Sequence, residues 1–132
     1  MTGPVVPGLS VLVAEDDPRS LRMVTLMLQS LGAEVTAVTN GHDALEKILA
    51  APGAFRAAVL DLQMPILSGV DVVRRLRTEP AVQALPVVIV TAFAYPQDEA
   101  AAREAGCDYF LTKPLSLDVL ETAMRDIHAR YS

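Results

Sequence analysis

The chain has 132 residues, a net charge of −5, a hydrophobic fraction of 52% and no Trp. That length suits one domain with a sizeable aliphatic core. The acidic balance argues against nonspecific nucleic-acid binding, and no apolar run approaches the length of a membrane span. The N-terminus lacks a basic segment followed by an apolar stretch, so no secretory signal is expected. The lone Cys107 cannot form an internal disulfide, which fits a reducing compartment and an expected cytoplasmic location.

Residues 1–8, with two Pro and two Gly, read as a flexible lead-in, and 9–131 as the domain. Leu9 to Ala14 is an apolar strand that runs into Glu15-Asp16-Asp17. Asp17 reads as the N-cap of a helix with Pro18 at its first position. Leu21, Val24, Leu28 and Leu31 follow at helical spacing, and Gly32 stops the helix. Glu34 to Val38 suits a short second strand. Asn40-Gly41 opens a second helix with Ala44, Leu45, Ile48 and Leu49 inward, broken at Pro52-Gly53.

The run Ala57-Ala58-Val59-Leu60 is the pattern of a strand buried on both faces, and it ends at Asp61, before Met64-Pro65. An ionised carboxylate is costly to bury, so Asp61 belongs at the strand's end. Ser68 then caps a helix with Val72, Val73 and Leu76 inward. Val87 to Val90 forms a fourth strand ending at Thr91. An Ala-rich helix from about Pro96 to Ala105 stops at Gly106, and Cys107 reads as a small buried residue. Tyr109 to Leu111 is a last strand running to Lys113-Pro114. Ser116 caps a final helix with Leu117, Leu120, Met124 and Ile127 inward.

Five strands alternating with five helices predict an α/β fold, a doubly wound parallel sheet with helices on both faces. Parallel strands bring their carboxyl ends to one edge, where such folds bind ligands. That edge collects Glu15, Asp16, Asp17, Asp61, Thr91 and Lys113. Clustered carboxylates raise one another's pKa unless a cation intervenes. Oxygen ligands without Cys or His favour a hard ion, Mg²⁺ first. A lysine and a hydroxyl beside them make a phosphoryl-binding set, and the carboxylate can itself be the nucleophile. His42 and His128 have no partners in the sequence that suggest a metal or a phosphotransfer role.

Four motifs in order resemble the receiver domain of two-component response regulators, over about residues 9–131. They are Val11-Leu12-Val13-Ala14-Glu15-Asp16-Asp17, then Leu60-Asp61 with Met64-Pro65 and Gly69, then Val90-Thr91-Ala92, then Lys113-Pro114. The resemblance, chemotaxis-regulator-like in kind, implies a flavodoxin-like sheet in the order 2-1-3-4-5. It implies that Asp61 accepts a phosphoryl group from a histidine kinase or histidine phosphotransfer protein. Asp16, Asp61 and the backbone carbonyl of Gln63 would bind Mg²⁺, with Glu15 acting mainly through water. Thr91 and Lys113 would contact phosphoryl oxygens, and Phe110 would be the switch aromatic, with a plain core role as the lesser alternative. The Lys113-Pro114 bond is typically cis in the family. An output partner would bind the fourth helix, fifth strand and fifth helix, and a weak or phosphorylation-dependent homodimer is compatible with this. Gln63 and Phe93 would flank the attacking water, which implies a long-lived phosphorylated state.

Two rival functions follow from the same residues. An aspartyl-phosphate phosphatase needs a second Asp two places after the nucleophile, where this chain has Gln63. A phosphorylation-independent pseudo-receiver lacks one of the acids, the Thr or the Lys, and here all are present. The expected role is therefore a signalling module rather than an enzyme with a separate substrate.

Overall fold

The computed structural model describes residues 4–92 and 94–131. The elements alternate as β1 (Ser10–Ala14), α1 (Pro18–Ser30), β2 (Glu34–Val38), α2 (Gly41–Ala50), β3 (Ala57–Leu60), α3 (Gly69–Thr78), β4 (Val87–Thr91), α4 (Pro96–Ala105), β5 (Tyr109–Thr112) and α5 (Leu117–Ala129). The strands form one parallel sheet in the order β2-β1-β3-β4-β5, the expected flavodoxin-like arrangement.

The apolar runs of the central strands serve two cores at once. Leu12, Leu60 and Ile89 face one side with Ala44, Leu45 and Ile48 of α2 and Val72, Val73 and Leu76 of α3. Val11, Val13, Val59 and Val88 face the other, with Val24 and Leu28 of α1 and Leu120, Met124 and Ile127 of α5. Alternate side chains point to opposite faces of a strand, so a two-sided core demands continuous hydrophobicity. Each fully buried Leu or Ile contributes roughly 1.5–3 kcal/mol relative to an exposed one.

Helix starts follow the expected caps, with one exception. The Asp17 side chain accepts from Ser20 N–H at 3.0 Å, and that of Asn40 from Asp43 N–H at 2.7 Å. Ser68 and Asp71 form a reciprocal capping box. Ser116 occupies the N-cap of α5 as expected, but its side chain makes no cap hydrogen bond. Leu117, expected inward, is exposed. It shares the stripe of Leu120, Met124 and Ile127 by spacing, but it is the first residue of α5, at the end of the helix beyond the packed turns.

Residues 4–8, expected as a loose lead-in, run along the end of α1. Val6 is fully buried in the α1–α5 core, and its N–H donates to Leu31 O at 2.8 Å. The physical reason is the Val5-Val6 pair, whose apolar surface fills space beside Leu31. At the other end of the chain, Tyr131 lies under the Arg56 guanidinium, 4.5 Å from ring centroid to Cζ, and its hydroxyl donates to Arg56 O at 3.0 Å.

Gly69 brings α3 hard against the acceptor strand. A Cβ there would stand 2.4 Å from the carbonyl oxygen of Asp61 and 3.1 Å from Leu62 Cα. Those are backbone atoms with little room to yield. Gly69→Ala is therefore expected to destabilise the fold by about 1–3 kcal/mol in urea unfolding, as overpacked sites do. An unchanged midpoint would mean that the start of α3 shifts freely.

Candidate phosphoryl-binding site

The site lies where β1, β3, β4 and β5 end. Glu15 and Asp16 follow β1, Asp61 follows β3, Thr91 ends β4 and Lys113 follows β5. The sheet ladder carries on past the strands: Asp61 N–H donates to Ala14 O at 3.0 Å, and Lys113 N–H to Thr91 O at 2.9 Å. Acids and lysine are thereby set in register by backbone alone. The Lys113-Pro114 peptide is cis.

Asp61 is 8% exposed and Glu15 is 3% exposed, whereas Asp16 is open to solvent. One carboxylate oxygen from each of the three lies within 4.8 Å of the others. Lys113 Nζ bridges the two buried ones, donating to Asp61 Oδ2 at 2.8 Å and to Glu15 Oε1. Asp61 Oδ1 accepts from Gln63 N–H at 3.0 Å, and Glu15 Oε2 from Asp17 N–H at 3.1 Å. An open cleft over the group is walled by Asp16, Ser20, Gln63, Met64, Pro65 and Ala92.

Burial pushes the Glu15 carboxyl up to about 7, with Asp61 adding to the effect and Lys113 opposing it. For Lys113, burial acts downward, but the hydrogen bonds to Asp61 and Glu15 outweigh it and raise the pKa. The Ser20 N–H lowers Asp17, the cap residue. Two buried acids and an exposed one held around a single lysine leave negative charge in excess. A donor set of oxygens alone, open to solvent on one side, suits Mg²⁺. Glu15, Asp16 and Asp61 fit such an ion on this ground.

The structure thus brings Glu15, Asp16, Asp61 and Lys113 into one cluster, with Thr91 fully buried beside Lys113 at the end of β4. Phe110 is half-buried against the core that holds Leu60 and Ile89. Phe93 lies outside the described residues. Sequence reading gave no role to Ser20, which lines the cleft one turn into α1, or to Ile66. Ile66 sits at φ 75° with 75% exposure, while Leu67 N–H donates back to Pro65 O at 2.9 Å. A β-branched residue there is a genuine outlier costing on the order of 1–3 kcal/mol. The Met-Pro pair marked a turn but not its strain.

The raised Glu15 pKa has a definite sign. A folded-state pKa above the unfolded value gives stability that is complete below about 4.5 and is lost as pH rises through about 7. Thermal unfolding of the metal-free protein should show this loss. Glu15→Gln should flatten the profile and leave the variant more stable than the parent above about pH 7. A variant with the parent's slope would remove Glu15 as its source.

Residues 11–125 match the response regulator receiver domain family. The chain is 32% identical over 108 residues to the polar-differentiation response regulator DivK of Brucella anthropi, covering 82% of this chain and 86% of DivK. It is 36% identical over 109 residues to sensor histidine kinase GacS of Pseudomonas protegens, covering 80% of this chain but only 12% of GacS. The receiver domain of sensor histidine kinase PA1611 from Pseudomonas aeruginosa superposes with a TM-score of 0.85 at 27% identity, covering 92% of this chain and 98% of that one. That structure has a magnesium ion coordinated in its active-site cleft. A sheet ordered β2-β1-β3-β4-β5, an acidic cleft at its carboxyl edge and these similarities agree: the chain belongs to the response regulator receiver domain family, the signalling modules of two-component systems.

Proposed function

We propose that Asp61 accepts a phosphoryl group from a phosphohistidine of a histidine kinase or histidine phosphotransfer protein. The observation that carries this reading is Lys113 Nζ at 2.8 Å from Asp61 Oδ2, beside the Glu15 and Asp16 carboxylates. In the transfer the donor's N–P bond breaks and an O–P bond to Asp61 forms, so the carboxylate becomes an acyl phosphate. Gln63 N–H holds Asp61 Oδ1 and so fixes the rotation of the carboxylate. Lys113, held by Glu15 and Asp61, is positioned to exchange its Asp61 contact for a phosphoryl oxygen. The Thr91 hydroxyl supplies a further hydrogen bond. Glu15, Asp16, Asp61 and the Gln63 carbonyl would hold Mg²⁺, which neutralises charge on the phosphoryl oxygens.

The chain catalyses its own phosphorylation from a small phosphodonor and its own slow dephosphorylation, and has no separate substrate. A cytoplasmic location is part of this reading. Incubation with acetyl phosphate and Mg²⁺ should add one phosphoryl group per chain by intact-mass measurement. Asp61→Asn should abolish it, and chelating the metal should suppress it. Equal labelling of Asp61→Asn would overturn the assignment.

Thr91 and Phe110 would carry the signal outward. Drawn toward the phosphoryl group, the Thr91 side chain vacates space that Phe110 fills, and the α4–β5–α5 surface changes for an output partner. A local charge change biasing a two-state element is the required physics. Amide exchange or NMR shifts should therefore change across residues 91–120 on phosphorylation. Changes confined to the loops around Asp61 would exclude the switch.

A further inference from the structure

We propose that Arg77 is the fixed pivot of α4, anchoring its C-terminal end so that the helix moves from its amino-terminal end. The proposal rests on the phosphoryl-switch reading only for what drives the motion.

Arg77 closes the last turn of α3 and is 22% exposed. Its guanidinium joins two other segments, residues 83–85 and 106–108. Nε and Nη2 both donate to Gly106 O, at 3.1 and 2.8 Å. Nη1 donates to Gln83 O and Leu85 O, at 3.0 and 2.7 Å. Nη2 also donates to Asp108 Oδ2 at 3.1 Å, and that same oxygen accepts from Val87 N–H at 2.8 Å. A planar fork meeting carbonyls and a carboxylate in this way is specific to arginine, and lysine cannot reproduce it.

Gly106 is the C-cap of α4, at φ 113°, and a Cβ there would meet Arg77 Nε at 3.0 Å. The cap therefore needs glycine twice, for its conformation and for the approach of the arginine. From the far side, Arg130 Nη1 stands 3.7 Å from Asp108 Oδ1, which adds α5 to the clasp.

Among the described residues, no side-chain hydrogen bond or ion pair ties the opposite end of α4 to another element. Tyr95 holds the N-cap position with no side-chain cap bond and is 59% exposed. The buried residue of α4, Ala102, lies in its C-terminal half. One end of the helix is thus held by charge-assisted bonds and packing, while the other begins at Pro96, shortly after Thr91 in the chain. A disturbance arriving from Thr91 meets the loose end first.

The test is residue-resolved amide hydrogen exchange on the full chain, alone and with Mg²⁺ and beryllofluoride as the phosphoryl mimic. In the free protein, amides 105–108 should exchange more slowly than 100–102. Arg77→Lys should raise exchange at 105–108 by about tenfold or more, the loss of charge-assisted bonds, and leave Val11–Val13 of β1 unchanged. Asp108→Asn, which keeps the shape and weakens the clasp, should shift the same amides less. Beryllofluoride should alter exchange at 97–101 and leave 105–108 still in the parent, and the response should spread to 105–108 in Arg77→Lys. Uniform protection along α4, or a change in Arg77→Lys no larger at 105–108 than in β1, overturns the pivot. A gradient that depends on Arg77 but ignores beryllofluoride supports the pivot and overturns the phosphoryl reading of Asp61.

Discussion

Carboxylates that share a site repel one another, and at this sheet edge three of them offer oxygens within 4.8 Å. The Lys113 ammonium offsets that repulsion, and it comes from the far side of the sheet's centre. It leaves β5, passes the end of β4 and reaches Asp61 and Glu15 beyond β3 and β1. That reach requires four strands to end level with one another, which parallel pairing with short helical crossovers provides. The small residues Ala14 and Ala58 keep the central strands lean, and Gly69 lets α3 close behind Asp61. Sheet register, glycine placement and charge balance are one constraint seen at three scales.

The same constraint explains why the site favours added positive charge. A single lysine does not neutralise three acids, and burial raises the proton affinity of Glu15 further. The edge is therefore built to welcome positive charge. Beside it, the strained turn at Ile66 stores free energy where the loop borders the cleft. Such regions are expected at switches, because a state held by compensating stresses responds to small changes in charge.

Much of this was legible in the sequence. Strand ends carrying Asp61, Thr91 and Lys113 stand out because apolar runs stop abruptly at polar residues, and caps such as Asp17, Asn40 and Ser68 have local chemistry. The features that escaped depend on distant partners. Leu117 has helical spacing with its neighbours, yet its exposure is set by where α5 enters the sheet. Ser116 sits at a cap position, but its side-chain rotamer decides whether it caps. Val6 looks like linker because Pro and Gly surround it, while its burial follows from the space left beside Leu31. Arg77 resembles any solvated helix charge until α4 and β5 bring Gly106 and Asp108 to it. Periodicity sees the helix that a residue belongs to, and cannot see what folds onto it from thirty residues away.

The two ends of the described chain leave a further mark on how the domain is arranged. Val6 is tied to the end of α1, and Tyr131 is stacked on Arg56 just ahead of β3. Both positions lie at the edge where the strands begin, opposite the acidic cleft. At both of its described ends the backbone therefore lies at the pole opposite Asp61. The separation is a matter of geometry: the ends of the described chain are on one pole and the chemistry on the other.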